Sequence, residues 1–414
     1  MSSEKNSIAI VGAGPAGSAL AAVLARAGKK VVIFDSGNRP PLLVGESLIP
    51  AVIPILRRLG VEDEVKSYSM YKPGATFRMD AQENEYGFGE FGGKFPHYAY
   101  NVPRDKFDDT LKHAARAAGS HFLEISAKLE RSEHGTGVNL VGESLESARE
   151  VLGSAPDLIV DASGRSRLIS ALLELPSTQG KRRDTVLFAH IDRANTTRDG
   201  NIHIGRLEYG WHWFIPLPDR MSMGVVMDGE RLKKYGRTNE ERYDYLLANE
   251  PMLAEYAGDA KRLTPVMKYT NYQRVTNQST GEGWALVGDA AGFIDPIFSS
   301  GLFLGMDGAM HLADAVIGGH TGAIEAYQSY FTKHIQAWQH IVDLYYTGSL
   351  FTLFNIGREH PPSFFSRPFR HHVYQHMGRI FTGQAATNGY SMWLLDFMTK
   401  YGIGKTDYRR LRIN

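Results

Sequence analysis

The stretch Ser7-Ile8-Ala9-Ile10-Val11-Gly12-Ala13-Gly14-Pro15-Ala16-Gly17 decides how the chain folds. Ser7 to Val11 read as a short buried strand, and the small apolar residues from Ser18 to Ala27 read as a helix packed on it, with Gly28 as its stop. Between them lies GxGxxG. Gly12 allows a tight turn, Gly14 lets a pyrophosphate come close to the backbone, and Gly17 lets helix and strand touch. With the small Ala13 and Ala16 between these glycines, the helix start offers free N–H groups and the positive end of its dipole to an anion. Val31–Asp35 completes a βαβ unit, and Asp35 stands 18 residues past Gly17, where a carboxylate accepts hydrogen bonds from ribose hydroxyls. The competing reading is a plain glycine turn with Asp35 as a strand-end cap.

Working outward, Asp157–Asp161 and Trp284–Gly288 repeat the pattern of an apolar strand running into Gly and Asp. Thr185–Asp192 and Gly200–Asp228 read as longer strands rich in aromatic residues and Met, suited to an antiparallel sheet. After Gly301 the pattern turns helical. The expectation is an α/β fold: a Rossmann-type dinucleotide-binding domain (1–75, 101–180 and 270–320), an inserted antiparallel-sheet domain on the substrate side (76–100 and 181–269) and a helical C-terminal region (321–414). A length of 414 residues suits two or three such units. Lys and Arg total 46 against 45 Asp and Glu, a balance that makes no field for nucleic acid or an anionic membrane and leaves a small molecule as partner. With no Cys, disulfides, thiolate metal sites, thiol nucleophiles and a cysteinyl flavin link are excluded, and no metal site is expected. The N-terminus lacks a secretory leader pattern and no run of about 18 residues is free of charge and turn formers, so a cytoplasmic protein without stable membrane insertion is expected.

Three further segments specify the dinucleotide by resemblance. Gly288-Asp289-Ala290-Ala291, followed by Asp295-Pro296 and Gly301, resembles the second FAD fingerprint of the aromatic-hydroxylase-like flavoproteins, in which the Asp binds a ribityl hydroxyl. Asp157 to Ser166 resembles the middle motif of that superfamily. Val102-Pro103-Arg104-Asp105 resembles the segment whose Arg reaches the FAD phosphates or the flavin edge, although a surface ion pair is the simpler reading of Arg104 alone. FAD is therefore the expected cofactor.

Gly210-Trp211-His212-Trp213-Phe214-Ile215-Pro216 narrows the family, because it matches the WxWxIP signature of the flavin-dependent halogenases and uses two of the five Trp in the chain. The resemblance implies an FADH2- and O2-dependent enzyme of natural-product biosynthesis that installs chlorine or bromine on an aromatic ring. A separate flavin reductase would supply the reduced FAD. Trp211, Trp213 and Pro216 would wall off the passage beside the flavin. Ser300 and Gly301 would hold the halide, and Lys72, in Tyr71-Lys72-Pro73-Gly74-Ala75-Thr76-Phe77, would direct hypohalous acid at the substrate. Tryptophan halogenases carry a Glu where this chain has Phe298, so the substrate expected beside Phe298 is an already activated phenol or pyrrole, free or tethered to an acyl carrier protein. Arg358, Arg367, Arg370, His371 and His372 form either a face for an acidic carrier or a solvated basic surface. Structural alternatives stand beside each role: two core aromatics on a strand, a solvated lysine, and serines that cap the next helix. An FAD-dependent aromatic monooxygenase and a non-catalytic flavin-binding partner are the rival functions.

Overall fold

In the computed structural model, which describes residues 5–79, 82–133, 135–196, 198–270, 273–350, 367–401 and 412–414, the strand Ser7–Val11 is buried along its whole length. An unbroken apolar run is what a parallel strand covered on both faces requires. Lys30–Phe34 and Leu158–Asp161 pair in parallel on its two sides, His121–Leu123 and Trp284–Leu286 extend the sheet, and the edge strand Thr280–Gly281 runs antiparallel. The chain fills one side of the first strand before crossing to the other, so the strand order reverses beside Ser7–Val11, where open α/β sheets form their ligand crevice. The register sets Val11, Phe34, Asp161 and Leu286 level. Three loops, starting at Gly12, Ala162 and Val287, consequently leave neighbouring strands at one carboxyl edge.

The second sheet has seven strands in the order Met267–Thr270, Asp184–Ile191, Met221–Asp228, Gly210–Pro216, Ile202–Leu207, Gly74–Met79, Gln82–Gly87. It is not antiparallel throughout: Ile202–Leu207 lies parallel to Gly74–Met79. The two are joined by a long stretch of chain rather than a hairpin, and such a connection leaves either direction open. Strand alternation divides Gly210–Pro216 between two cores. Trp211, Trp213 and Ile215 join the core shared with the first sheet, whereas Phe214 joins a second core under the helices Asn239–Asn249 and Pro251–Ala257.

Helix Ser300–Gly318 packs against Pro15–Arg26, close enough that a Cβ on Gly288 or Gly305 would sit 3.1 or 3.6 Å from the Ala16 methyl. Small residues on both partners therefore bring the first and last nucleotide motifs together. Helices Ala323–Tyr346, Arg367–Thr382 and Gly389–Tyr401 make up the described C-terminal region, and no helix among the described residues is long and apolar enough to cross a membrane. Arg358 and the Arg367 and Arg370 side chains lie outside the described residues. His372 shares a 2.9 Å hydrogen bond with the Tyr390 hydroxyl.

Candidate active site

The three glycines of the first loop differ in what surrounds them. Gly12 has φ +112°, and a Cβ there would lie 2.4 Å from the Ala162 carbonyl oxygen; at Gly17 it would lie 2.1 Å from the Gly12 oxygen. At Gly14 it would meet nothing within 4 Å. Two glycines thus serve protein packing, while the third leaves open room at the start of a helix that has Pro15 in its first turn and no side-chain cap. Asp35, one residue past its strand, accepts from Lys112 Nζ and, at 3.3 Å, from the Gly37 N–H. Burial opposes its charge, yet these bonds and the nearby Lys112 and Arg39 charges hold its carboxyl below the usual range, ready to accept hydroxyls.

Asp289 lies where the third loop leaves the sheet, and burial pushes its carboxyl up to about 6 against the pull of Arg104, Arg165 and Arg167. Among the described residues no N–H or O–H is hydrogen-bonded to this half-buried acid. Arg104 is ion-paired with Asp108 at 2.9 Å and donates to the Val44 carbonyl; burial opposes its charge, but Asp108, Glu46 and Asp289 raise its pKa above the ordinary value. It is therefore an ion pair set into the protein rather than the surface pair that was the alternative, and a cation whose charge acts on Asp289. The open Gly14, the unbonded Asp289 and the ionised Asp35 fit a dinucleotide that brings phosphates and hydroxyls to this edge.

Lys72 ends the strand Met70–Lys72, which pairs antiparallel with Ala99–Asn101; Ser47 bridges to Asn101 on the other side of that strand. The same ribbon runs through Val102, whose N–H donates to the Glu46 carbonyl at 2.7 Å, into the Arg104 helix. Lys72 is 1% exposed. Its Nζ donates to Ser47 Oγ at 2.8 Å and to the Leu48 carbonyl at 2.9 Å, and lies 5.5 Å over the Phe88 ring. With no carboxylate paired to it among the described residues, burial lowers its pKa to about 7.

Trp211 and Trp213 are both buried, with ring centroids 5.6 Å apart. Trp213 lies across Gly224 of the neighbouring strand, where a Cβ would come within 2.3 Å of the indole, and its Nε1 donates to Ser222 at 3.3 Å. Pro216 ends the strand. In the loop that follows Asp289, the serines do not cap the next helix through their side chains: Ser299 is its N-cap with no side-chain bond and a φ of +56°. Asp295 caps the preceding turn instead, accepting from the Ile297 N–H at 3.1 Å. Ser300 is fully buried and its hydroxyl has no hydrogen-bond partner among the described residues. A buried hydroxyl in that state costs roughly 1–3 kcal/mol unless a ligand satisfies it. Gly301 follows it in the first turn of Ser300–Gly318. Phe298 stacks on Phe77 at 6.1 Å and touches Tyr345 and Phe381, which ties the loop to the strand just past Lys72.

Two constellations have no counterpart among the expected residues. Buried His190 meets buried Glu46 at 2.8 Å, and Arg220 Nε donates to His190 Nδ1 at 3.0 Å. Arginine only donates, so Nδ1 accepts and the ring proton lies on Nε2, donated to Glu46. Tyr346 accepts from Trp211 Nε1 at 2.8 Å and donates to Asp295 Oδ2 at 2.8 Å. The one sequence signal for the first was an acid and a histidine set in otherwise apolar stretches. Tyr346 sits in an aromatic-rich helix and carries no such mark.

Residues 5–342 match the family model described as FAD binding domain. The chain is 31% identical over 338 residues to flavin-dependent halogenase armH3 of Armillaria mellea, covering 75% of this chain and 66% of that one, so it spans about two thirds of that relative's length. It is 27% identical over 395 residues to the 1H-pyrrole-2-carbonyl-(peptidyl-carrier protein) chlorinase of Pseudomonas fluorescens, with 86% of each chain covered. The crystal structure of a flavoprotein/dehydrogenase from Cytophaga hutchinsonii superposes with a TM-score of 0.82 at 24% identity, covering 95% and 98% of the two chains, which is a likeness of fold. The cofactor is FAD, and the chain belongs to the FAD-binding-domain family of flavoproteins, with flavin-dependent halogenases among its relatives.

Proposed function

We propose that the protein chlorinates or brominates an electron-rich aromatic ring, a phenol or a pyrrole, at the expense of FADH2 and O2. Bound FADH2 would activate O2, and O2 would supply the oxidising equivalent that turns halide and a proton into hypohalous acid, with oxidised FAD and water as the other products. The chain's residues then divide the work. The Gly12–Gly17 turn, Asp35, Arg104 and Asp289 hold the cofactor. The unpartnered Ser300 hydroxyl, with the backbone at Gly301, receives the halide. Trp211 and Trp213 keep organic substrate off the flavin, and Pro216 fixes the end of their strand.

The observation that carries this reading is Lys72, a lysine with 1% exposure and no carboxylate partner among the described residues. Such a group is costly to fold around, and its depressed pKa suits chemistry rather than packing. As an ammonium it hydrogen-bonds hypohalous acid. As an amine it exchanges a proton for the halogen, releasing water, and passes the halogen to the ring carbon while the ring loses its proton. Phe298 and Phe77 offer no carboxylate to assist an unactivated ring, which favours phenols and pyrroles. The Pseudomonas relative's name supports a carrier-tethered pyrrole as one form of substrate. A flavin reductase completes the system, in a cytoplasmic setting.

The test incubates the FAD-loaded protein with a reductase, bromide, and phenols or pyrrolyl-carrier thioesters, and follows the products by mass spectrometry. Brominated ring is the expected outcome. Hydroxylated ring without bromine would move the chain to the aromatic monooxygenases, and turnover-free FAD binding would make it a flavin-binding partner.

A further inference from the structure

We infer that Tyr346 is a positioning residue that locks the halide-receiving loop to the tryptophan wall; this rests on the halogenase reading above. The Trp211 Nε1–H donates to the Tyr346 oxygen, and the Tyr346 hydroxyl donates to Asp295 Oδ2, both at 2.8 Å. All three residues are buried, Trp211 to 2%, Tyr346 to 8% and Asp295 to 0% exposure, so each bond is made where water does not compete for it. The Arg182 guanidinium lies 4.5 Å over the Tyr346 ring and is itself paired with Asp184 at 2.7 Å. Gln273 Nε2 adds a 3.3 Å bond to Asp295 Oδ2.

The far end of this chain of bonds bears on the loop directly. Asp295 Oδ1 accepts the Ile297 N–H and so starts the turn Pro296–Phe298; the Ser299 N–H donates back to the Pro296 carbonyl at 2.8 Å. Ser299 follows with φ +56°, a conformation that costs a side-chain-bearing residue energy and persists only where its surroundings impose it. Ser300, with its unpartnered hydroxyl, is next. Tyr346 therefore orients Asp295, Asp295 sets the turn, and the turn aims Ser300. It touches neither halide nor flavin in this scheme.

The test is equilibrium bromide binding to the oxidised, FAD-loaded protein, measured by calorimetry together with FAD affinity. Tyr346→Phe removes both bonds and keeps the ring; it should weaken bromide binding roughly five- to tenfold, as loss of one or two buried hydrogen bonds predicts, and leave FAD affinity within about twofold. Tyr243→Phe, which loses a buried 3.3 Å bond to the Met223 carbonyl on the other face of the sheet, serves as the structural control and should bind bromide as the parent does. If Tyr346→Phe does not fold, Trp211→Phe, which leaves the Tyr346–Asp295 bond in place, should weaken bromide binding roughly two- to threefold. Unchanged bromide affinity in the folded variant overturns the proposal. Absence of saturable bromide binding in the parent protein would instead overturn the halogenase reading on which it stands.

Discussion

At the scale of single residues, the cost of an unpaired charge separates Lys72 from an ordinary lysine. Its folded pKa of about 7 lies below the 10.5 of an exposed lysine, and burial is the whole cause. Between those values the unfolded chain binds a proton that the folded chain has released, so stability must rise with pH across that window and level off below pH 7. Lys72→Met removes the titration. Urea unfolding of both proteins from pH 6 to pH 9 should show the parent gaining on the variant by about 1.4 kcal/mol per pH unit above pH 7, and by nothing below it. A flat difference would mean that Lys72 is solvated. Its burial was not legible in the sequence, because a lysine between Tyr71 and Pro73 reads as surface; only the antiparallel pairing with Ala99 and the Ser47 bridge turn it inward. The motif marks Asp289 as a candidate cofactor acid, but it does not show the burial that raises its pKa against the pull of Arg104, Arg165 and Arg167.

Elements were read from the sequence more easily than residues, since a strand-turn-helix leaves a local trace. The Gly12–Gly17 turn carries its whole explanation in eleven residues, and its glycines make opposite predictions. Gly12→Ala would force a side chain onto a φ of +112° and into the Ala162 carbonyl, at a cost of about 2–5 kcal/mol. Gly14→Ala, at a φ of −73° with open space around it, should change stability by less than about 1 kcal/mol yet weaken FAD binding roughly tenfold or more. Thermal unfolding of the apoprotein and FAD titration of the two variants check both; equal FAD affinity for Gly14→Ala and the parent would contradict the assigned roles. The strand Gly210–Pro216 was equally readable as an element, and its alternation sends both Trp side chains to one face. What the sequence left out was the partner of the indole: nothing in a helix as aromatic as Ala323–Tyr346 marks Tyr346 as the residue that receives Trp211 Nε1.

At the scale of the whole molecule, the proposed site belongs to no single sheet. The parallel sheet supplies three nucleotide loops at one carboxyl edge, the seven-stranded sheet supplies the tryptophans, and a ribbon between them carries Lys72 and leads into Arg104. Glu46, on that ribbon, reaches His190, which Arg220 holds from its other ring nitrogen at the end of the larger sheet, and so fastens the two parts together with a proton fixed on His190 Nε2. The parallel pairing of Ile202–Leu207 with Gly74–Met79 shows why such assembly escapes a sequence reading: it joins strands more than 100 residues apart, and pairing direction has no local signature. On the proposed mechanism, oxidised halide is produced at the flavin side and consumed at Lys72. A single turnover of reduced, FAD-loaded Lys72→Met with bromide, scoring trapped hypohalite and brominated phenol in the same sample, separates the two steps. Hypohalite should still form while ring bromination falls by at least roughly 100-fold, the scale of a lost catalytic group; brominated phenol at the parent's yield would rule out the role of Lys72.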